Sequence, residues 1–386
     1  MVYLIFFLLC IIADKMYKKN NFWYKVVVLS IYIFLCFGYM TGSDWRSYEV
    51  YYNNGLALGV YEDYGEGGFV ILVKIFKYIC DDFWIFNGIM KIFYLYALTR
   101  LVSLFIKNKW SVIGFSFTFG TMFLLIDCPM RFMIGMSFIF LMIESIIKRK
   151  YIVCIVCGLL SLSFHVTMII PIFIIVVAFN IKGIFKVKSW ILLMIYLILI
   201  IMSTNSLVYG YLINSLDLLG GLNRFAGSKY LLTTTDSIFT IGTLKNLVLF
   251  IFLLYNRKYI ESMKHGSFIF AMMCIYFILS PIFINIPTGF RLGILQGYFT
   301  LIGFVFILYE MKVSIGNIWK YVWFSIFSFL TLKAALSSPF YYPYTNSIPY
   351  IMTEHLPYTY RDNYNLYMYT KLTGNPITDD MVQFQN

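Results

Sequence analysis

Long apolar segments separated by short basic clusters constrain the fold of this 386-residue chain more than any other feature. The mean hydropathy is +0.79, 61% of the residues are hydrophobic and only 12% are charged. Several apolar segments are long enough to cross a bilayer. The pattern predicts an all-α, polytopic integral membrane protein. A net charge of +12 does not indicate a nucleic-acid partner here, because the basic residues lie between apolar segments and not on one face.

The basic clusters also predict the orientation of the chain, since lysine and arginine accumulate in cytoplasmic loops. About 17 of the 30 lysines and arginines fall in the clusters that follow inward-running spans. When these clusters are assigned to the cytoplasm and the apolar segments are threaded through the membrane between them, the chain has about 12 transmembrane helices with both termini outside. The predicted organisation is a single multi-span domain, residues 1–336, with external loops at 41–82 and 205–242 and an external tail at 337–386.

One segment in the first external loop is predicted to lie along the membrane. Residues 69–79 form too short an apolar run to span, and the run contains Lys74 and Lys77. An amphipathic helix at the outer interface fits this composition.

Polar side chains gather at the turns that the threading places outside. Asp44 lies in Gly42–Tyr48, the first polar break after an apolar run, and Glu66 precedes the interfacial helix. Arg131 begins an apolar helix on the predicted non-cytoplasmic side, where basic residues are less common than in cytoplasmic loops. His165 lies at the join between two spans. Each residue alone also fits an ordinary structural role, as a turn, a helix start, a snorkelling cation or a core histidine.

Together these residues predict an anionic substrate. Arg291 follows another external turn and Arg224 lies in the longest loop, so that with Arg131 they place three guanidinium groups on one side. A planar fork suits phosphate oxygens, and a pyrophosphate is the expected anion in the outer leaflet. Asp44 and His165 are both candidates for the general base. Tyr48 and Tyr51, one helical turn apart, are expected to offer a stacking face to a sugar ring.

In their order and spacing, these motifs resemble the EpsG family of Wzy-type polymerases, which assemble O-antigen, capsule or exopolysaccharide from lipid-linked repeat units. The resemblance covers most of residues 38–300. It is carried by Gly42-Ser-Asp44-Trp-Arg-Ser-Tyr48, Glu66-Gly-Gly-Phe, Arg131 before a helix with Gly135 and Ser137, Ser163-Phe-His165-Val-Thr167, and Arg291. The family often has an Arg-Gln pair where Arg131-Phe132 stands here, so one polar contact of the pattern is absent.

The resemblance implies a glycosyltransferase with a membrane architecture of the GT-C-like kind, multi-pass in the bacterial cytoplasmic (inner) membrane. It would transfer a glycan from undecaprenyl pyrophosphate to a second lipid-linked repeat unit. The implied partners are these two lipid-linked glycans, membrane lipid and a chain-length regulator protein, and no cofactor or metal is expected. The implied catalytic residues are Asp44 and His165, and the implied substrate-binding residues are Arg131, Arg224, Arg291, Tyr48 and Glu66.

Other functions remain open from the sequence. A flippase for the same lipid-linked glycan would need charge distributed through a central cavity, whereas here the distinctive cations gather at one face. An O-antigen ligase-like transferase would share the chemistry and differ in acceptor. A membrane acyltransferase and a non-catalytic scaffold are the remaining alternatives.

Overall fold

Helices account for the regular structure of the chain wherever its placement is described. The computed structural model describes residues 2–17, 22–42, 44–54, 66–116, 125–126, 129–181, 183–204, 241–283, 291, 293–311 and 344–351, with shorter pieces between 318 and 333 and between 353 and 361. Within these ranges the only β feature is an isolated antiparallel bridge between Gly38 and Asn346. The prediction of an all-α protein is therefore confirmed for the described residues.

The described helices mostly follow apolar segments of the sequence. In chain order they are α1 (Val2–Met16), α2 (Phe22–Cys36), α3 (Trp45–Asn54), α4 (Gly67–Ile79), α5 (Phe83–Ser103), α6 (Lys109–Phe115), α7 (Met130–Ile147), α8 (Tyr151–Phe164), α9 (Ile169–Asn180), α10 (Ser189–Thr204), α11 (Ile241–Tyr255), α12 (Arg257–Glu261), α13 (Gly266–Phe283) and α14 (Ile294–Glu310). Of these helices, α3 and α12 are polar. Short 3-10 turns lie at Val166–Met168, Ile184–Lys186 and Ile348–Tyr350.

Two of the described helices, α5 and α7, are by themselves long and apolar enough to cross a membrane. Seven further apolar helices are shorter. The exterior is apolar as well, since Ile152, Ile155 and Leu159 on α8 are all exposed. Large apolar side chains on an outer helix face are typical of a bundle surrounded by lipid. The count of about 12 spans and the GT-C-like architecture stay predictions.

The centre of the bundle is α5, which packs against α2, α6 and α7. On its other side, α7 lies close to α8, where the Ser161 hydroxyl donates a hydrogen bond to the Gly135 carbonyl oxygen at 2.8 Å. The helix pair α13–α14 joins this core through the hydroxyl groups of Tyr94 on α5 and Tyr298 on α14, which lie 3.0 Å apart. The polar turns that begin α5 and α7 and the turn that follows α8 are thus held in fixed relation by a tightly packed apolar core.

Helices α5 and α7 run in the same direction. The rings of Phe93 and Phe138 lie 5.4 Å apart, and further along both helices Arg100 forms an ion pair with Glu144. Their first turns therefore share one end of the bundle, which we call the site end, and their last turns share the other, which we call the basic end. The charge pattern of the sequence predicts that the site end is outside the membrane and the basic end is in the cytoplasm.

The C-terminal segment packs back against the end of α2. Three backbone carbonyls there accept hydrogen bonds from this segment: Ile33 from Asn346 Nδ2 at 3.2 Å, Phe34 from the Tyr344 hydroxyl at 2.7 Å, and Phe37 from the Ser347 amide at 2.7 Å. Ile33 also accepts a hydrogen bond from the Phe37 amide at 3.2 Å, but the last carbonyls of a helix in general lack intrahelical donors. Residues 344–347 therefore complete the hydrogen bonding of α2 and hold the chain that leaves it.

Candidate functional site

The turn between α2 and α3 places Asp44 at the site end. Met40 and Gly42 both have positive φ angles, 50° and 93°, which turn the chain sharply after α2. Asp44 directly precedes α3, and its backbone carbonyl accepts the first-turn hydrogen bond from the Tyr48 amide at 3.4 Å. Its carboxylate accepts a hydrogen bond at 3.1 Å from Arg291 Nη2, although the two residues lie 247 positions apart. Both side chains are about 30% exposed, at 30% and 27%, so the pair remains accessible.

A second group of polar side chains is centred on Glu66, which is 3% exposed. One carboxylate oxygen, Oε2, accepts a hydrogen bond from the Arg131 guanidinium, and the other, Oε1, lies 2.5 Å from Nδ1 of His165. Arg131 also donates from Nε to the Tyr48 hydroxyl at 3.3 Å. The structure thus brings together residues from the starts of α3, α4 and α7 and from the join after α8.

The two groups lie side by side because α3 connects them. Asp44 and Tyr48 are separated by one helical turn, which places residues about 6 Å apart on one helix face. Asp44 contacts Arg291, and Tyr48 contacts Arg131. Two guanidinium groups, two carboxylates, one imidazole and one phenol therefore share one region of the site end, which we call the outer cluster.

A close helix approach allows Glu66 to reach His165. Gly68, two residues after Glu66, lies against the last turn of α8. A Cβ added at Gly68 would lie 3.0 Å from the Ser163 carbonyl oxygen and nearer still to the Ser163 side chain. A Cβ added at Gly67 would meet nothing within 4 Å. Only the second glycine is required for the contact, which brings the start of α4 against the residues that lead to His165.

The electrostatics of the outer cluster keep Glu66 ionised. Burial acts to raise the pKa of this carboxyl group, but the hydrogen bond and charge of His165 and the Arg131 guanidinium outweigh it. The pKa of Glu66 is therefore lowered from its ordinary value. A carboxylate that stays ionised at Nδ1 favours the tautomer in which that nitrogen carries the proton. This arrangement leaves Nε2 of His165 as the nitrogen able to accept a proton.

The tyrosine rings do not present the open sugar-stacking face that the sequence suggested. Tyr48 and Tyr51 are both buried. The Phe69 ring lies 5.7 Å from the Tyr48 ring, edge to face, and 5.6 Å from the Tyr51 ring, stacked. The expectation is corrected because α4 folds over α3 and covers both rings. Tyr48 contributes its hydroxyl group to Arg131, and Tyr51 helps to pack α3 against α4.

Arg224 lies outside the described residues, so its predicted place in the anion site stays a prediction. In the described part of the chain, no group of three or more His, Cys, Asp and Glu side chains is arranged to hold a metal ion. The expectation of a reaction without a cofactor also stays a prediction.

Next to the outer cluster, the structure shows polar contacts that sequence reasoning missed. Asp82 caps the start of α5 by accepting hydrogen bonds from two backbone amides, and it also lies 3.1 Å from Nε2 of His355 in the C-terminal segment. Glu49 on α3 accepts a hydrogen bond at 3.1 Å from the Trp84 indole nitrogen. Burial raises the pKa of Glu49. Neither residue falls in a motif, and only the capping position of Asp82 before an apolar helix carried a sequence signal.

Comparison with known families decides the identity. The family model described as EpsG family matches residues 21–352. The chain belongs to the EpsG family. Neither a curated protein nor a solved structure gives a match. The EpsG match extends through residues 344–351, so it includes the C-terminal segment that packs against α2. Membership of the EpsG family places the chain among membrane proteins of polysaccharide biosynthesis with a polymerase-type function.

Proposed function

We propose that this EpsG-family protein is a polysaccharide polymerase at the outer face of the bacterial cytoplasmic membrane. It transfers a glycan from undecaprenyl pyrophosphate to the end of another lipid-linked repeat unit. The observation that carries the proposal is the outer cluster, in which Glu66 joins Arg131 to His165 beside the Asp44–Arg291 pair. It combines cations suited to a pyrophosphate with a proton acceptor, at the end of the bundle predicted to be external.

The reaction needs one bond to form and one to break. A hydroxyl group of the acceptor glycan attacks the anomeric carbon of the donor, and the bond from that carbon to the pyrophosphate oxygen breaks. The pyrophosphate leaves with the electron pair of this bond and stays attached to its lipid. The proton of the attacking hydroxyl group is transferred to a base. The protein must therefore stabilise negative charge on the leaving group and accept one proton.

His165 is the base in this proposal. Its Nδ1 atom lies 2.5 Å from a carboxylate oxygen of Glu66, so Nε2 is the atom that receives the proton. The resulting imidazolium is stabilised by the same carboxylate, which is how an acidic residue supports a catalytic histidine in other transferases and hydrolases. Asp44 is the weaker candidate for the base, because its carboxylate is paired with Arg291.

Arg131 and Arg291 stabilise the leaving pyrophosphate. A guanidinium group has five N–H donors, more than one carboxylate can engage, so each arginine can bind phosphate while it keeps its acidic partner. Asp44 and Glu66 orient the guanidinium groups of Arg291 and Arg131 before the substrate binds. Arg224 is proposed as a third phosphate ligand on sequence grounds alone.

Glycan analysis of a deletion strain tests this function against its alternatives. A polymerase defect leaves single repeat units on the final acceptor. Lipid-linked units that accumulate on the inner leaflet would instead identify a flippase, and free lipid-linked polymer would identify a ligase. Complementation with the wild-type chain must restore long polymer, and complementation with Arg131→Ala, at the same level in the membrane, must not.

A further inference from the structure

Lys91 is a lysine buried in the apolar core of the bundle. It lies near the middle of α5, eight residues after Phe83, and it is 1% exposed. Among the residues that the structure describes, no carboxylate pairs with it and no side chain or backbone group forms a hydrogen bond with it. At 1.5 Å per residue, its Cα lies about 12 Å from the start of the helix.

An ammonium group in this position is costly to keep. An unpaired charge removed from water destabilises the folded protein even after relaxation of its surroundings. Ionisable residues at membrane depth are accordingly rare, and where they occur they pair with another group or mark a substrate pathway. A bound ligand is therefore the expected partner of the Lys91 ammonium group.

The most ordinary structural role for Lys91 is already filled by other residues. Lys91 faces the end of α2, because Gly88, one turn earlier on α5, packs against Phe37, and because the Lys91 ammonium interacts electrostatically with Cys36. A lysine there could cap the carbonyl groups at the end of α2. Three of those carbonyls, however, accept hydrogen bonds from residues 344–347.

Measured along the bundle axis, Lys91 lies inward of the outer cluster. The contact between Phe93 and Phe138 sets the register of α5 against α7, so Lys91 is level with about residue 136, five residues inward of Arg131. The axial distance between the two Cα atoms is about 7.5 Å at 1.5 Å per residue. Helical side chains lean toward the N-terminus of their helix, which for α5 is the site end. The long side chain of Lys91 therefore extends toward the level of Arg131.

We propose that Lys91 binds a phosphate group carried on the lipid substrate, inward of the outer cluster. The inference rests on the proposed function and deepens it: Arg131 and Arg291 bind the pyrophosphate from the outer side, and Lys91 binds it from the membrane side. Its ammonium is a compact point charge and needs no defined fork geometry. The charge that develops on the leaving group is then neutralised on the side that faces away from water.

The test separates ligand binding from structural support. Lys91→Met and Lys91→Arg are compared with the wild type in nanodiscs, with binding of undecaprenyl pyrophosphate and the thermal midpoint as the two readouts. Loss of a hydrogen bond to a charged group predicts that Lys91→Met weakens lipid binding by about tenfold or more, whereas Lys91→Arg retains it. The thermal midpoint of Lys91→Met should stay equal or rise, because an unpaired buried charge has been removed.

Lys107→Met is the matched control, because it removes the same charge from an exposed position just after α5. It should bind the lipid like the wild type. Inorganic pyrophosphate is the second probe, and its binding should depend less on Lys91, since without the lipid tail the anion is held mainly by the more exposed arginines Arg131 and Arg291. Equal weakening of both probes would overturn the assignment to a lipid-borne phosphate.

Two further results would overturn the role of Lys91 itself. One is unchanged lipid binding by Lys91→Met. The other is a lowered thermal midpoint in both variants, which would identify Lys91 as structural support. The binding readout does not depend on polymerisation. A wild-type protein that binds the lipid through Lys91 but forms no polymer would contradict the proposed function and leave the phosphate site in place.

Discussion

Each end of the bundle contains one buried carboxylate shared by two basic side chains. At the site end Glu66 joins Arg131 and His165, and at the basic end Glu144 joins Arg100 and Lys148. The partners differ in exposure. Arg131 and His165 are 22% and 18% exposed, whereas Arg100 and Lys148 are 42% and 45% exposed. Exposed ion pairs contribute little to stability and are screened by salt, whereas ion pairs shielded from solvent are screened much less.

The two arrangements also differ in what they can do chemically. The basic-end pair Glu144–Lys148 is an (i, i+4) contact on one helix, and carboxylates, guanidinium groups and ammonium groups do not ordinarily titrate near neutral pH. The site end includes an imidazole, the side chain whose unperturbed pKa lies closest to neutral pH. Paired charges alone therefore do not indicate a reactive site. A carboxylate that is shielded from solvent and orients a histidine does indicate a reactive site. Of the two carboxylates Glu66 and Glu144, only Glu66 has this arrangement.

The largest expected effect comes from removing the proton acceptor. His165→Ala should lower the rate of polymerisation by about 10²- to 10⁴-fold, the usual contribution of a general base. Arg100→Ala at the basic end should leave the rate near that of the wild type. Both rates are measured with purified protein in proteoliposomes. Equal losses in the two variants would remove the distinction between the two ends.

A smaller loss of polymerisation rate is expected when the positive charge of Arg131 is kept but its planar guanidinium group is replaced. Arg131→Lys should lower the rate by about 10- to 100-fold, because an ammonium cannot bind phosphate in a bidentate way while it also contacts Glu66 and Tyr48. Lys148→Arg, the reciprocal change at the basic end, should have no effect on polymer yield. Full activity in Arg131→Lys would show that only charge matters at this position.

The glycine contact between α4 and α8 gives the third prediction. Gly68→Ala pushes the start of α4 away from Ser163 and so separates Glu66 from His165, with an expected loss of about tenfold in rate, since small displacements of catalytic groups are costly. Gly67→Ala is the matched control, because its added methyl group meets nothing. The pH dependence of the rate should change in Gly68→Ala only. An unchanged profile would mean that Glu66 does not act through the histidine.

The smallest effect concerns stability. Glu66→Gln leaves partly buried cations without their counter-charge and should cost about 1–3 kcal/mol, whereas Glu144→Gln should cost about 0–1 kcal/mol because its partners are exposed. The pKa of Glu66 is lowered from 4.5, so its contribution is present above that pH and is lost as the pH falls through the folded-state pKa. Thermal midpoints of wild type and Glu66→Gln should therefore converge in acid. A constant difference down to low pH would contradict the ion pairing.

Much of this organisation could be predicted from the sequence, because it depends on local patterns. Apolar runs and basic clusters predicted an all-α protein, and helices such as α8, Tyr151–Phe164, coincide with one of those runs. The same charge pattern placed Asp44, Glu66, Arg131, His165 and Arg291 on one side, and the structure brings them together at the site end.

The pairing within the outer cluster could not be predicted. Glu66 contacts His165 across 99 positions because Gly68 fits against Ser163, and a packing fit of this kind has no periodic signal. Tyr48 and Tyr51 were misjudged for a related reason, since Phe69 arrives from another helix to cover them. Lys91 was visible as a charge inside an apolar run, but only the packing of α5 shows that it is buried.

Reconstitution of the purified protein with a single lipid-linked repeat unit tests the polymerase function directly. We expect a ladder of progressively longer lipid-linked glycans, with one undecaprenyl pyrophosphate released per unit added, and no ladder with His165→Ala. A wild-type protein that inserts correctly, binds the lipid-linked unit and yet never lengthens it would contradict a polymerase function.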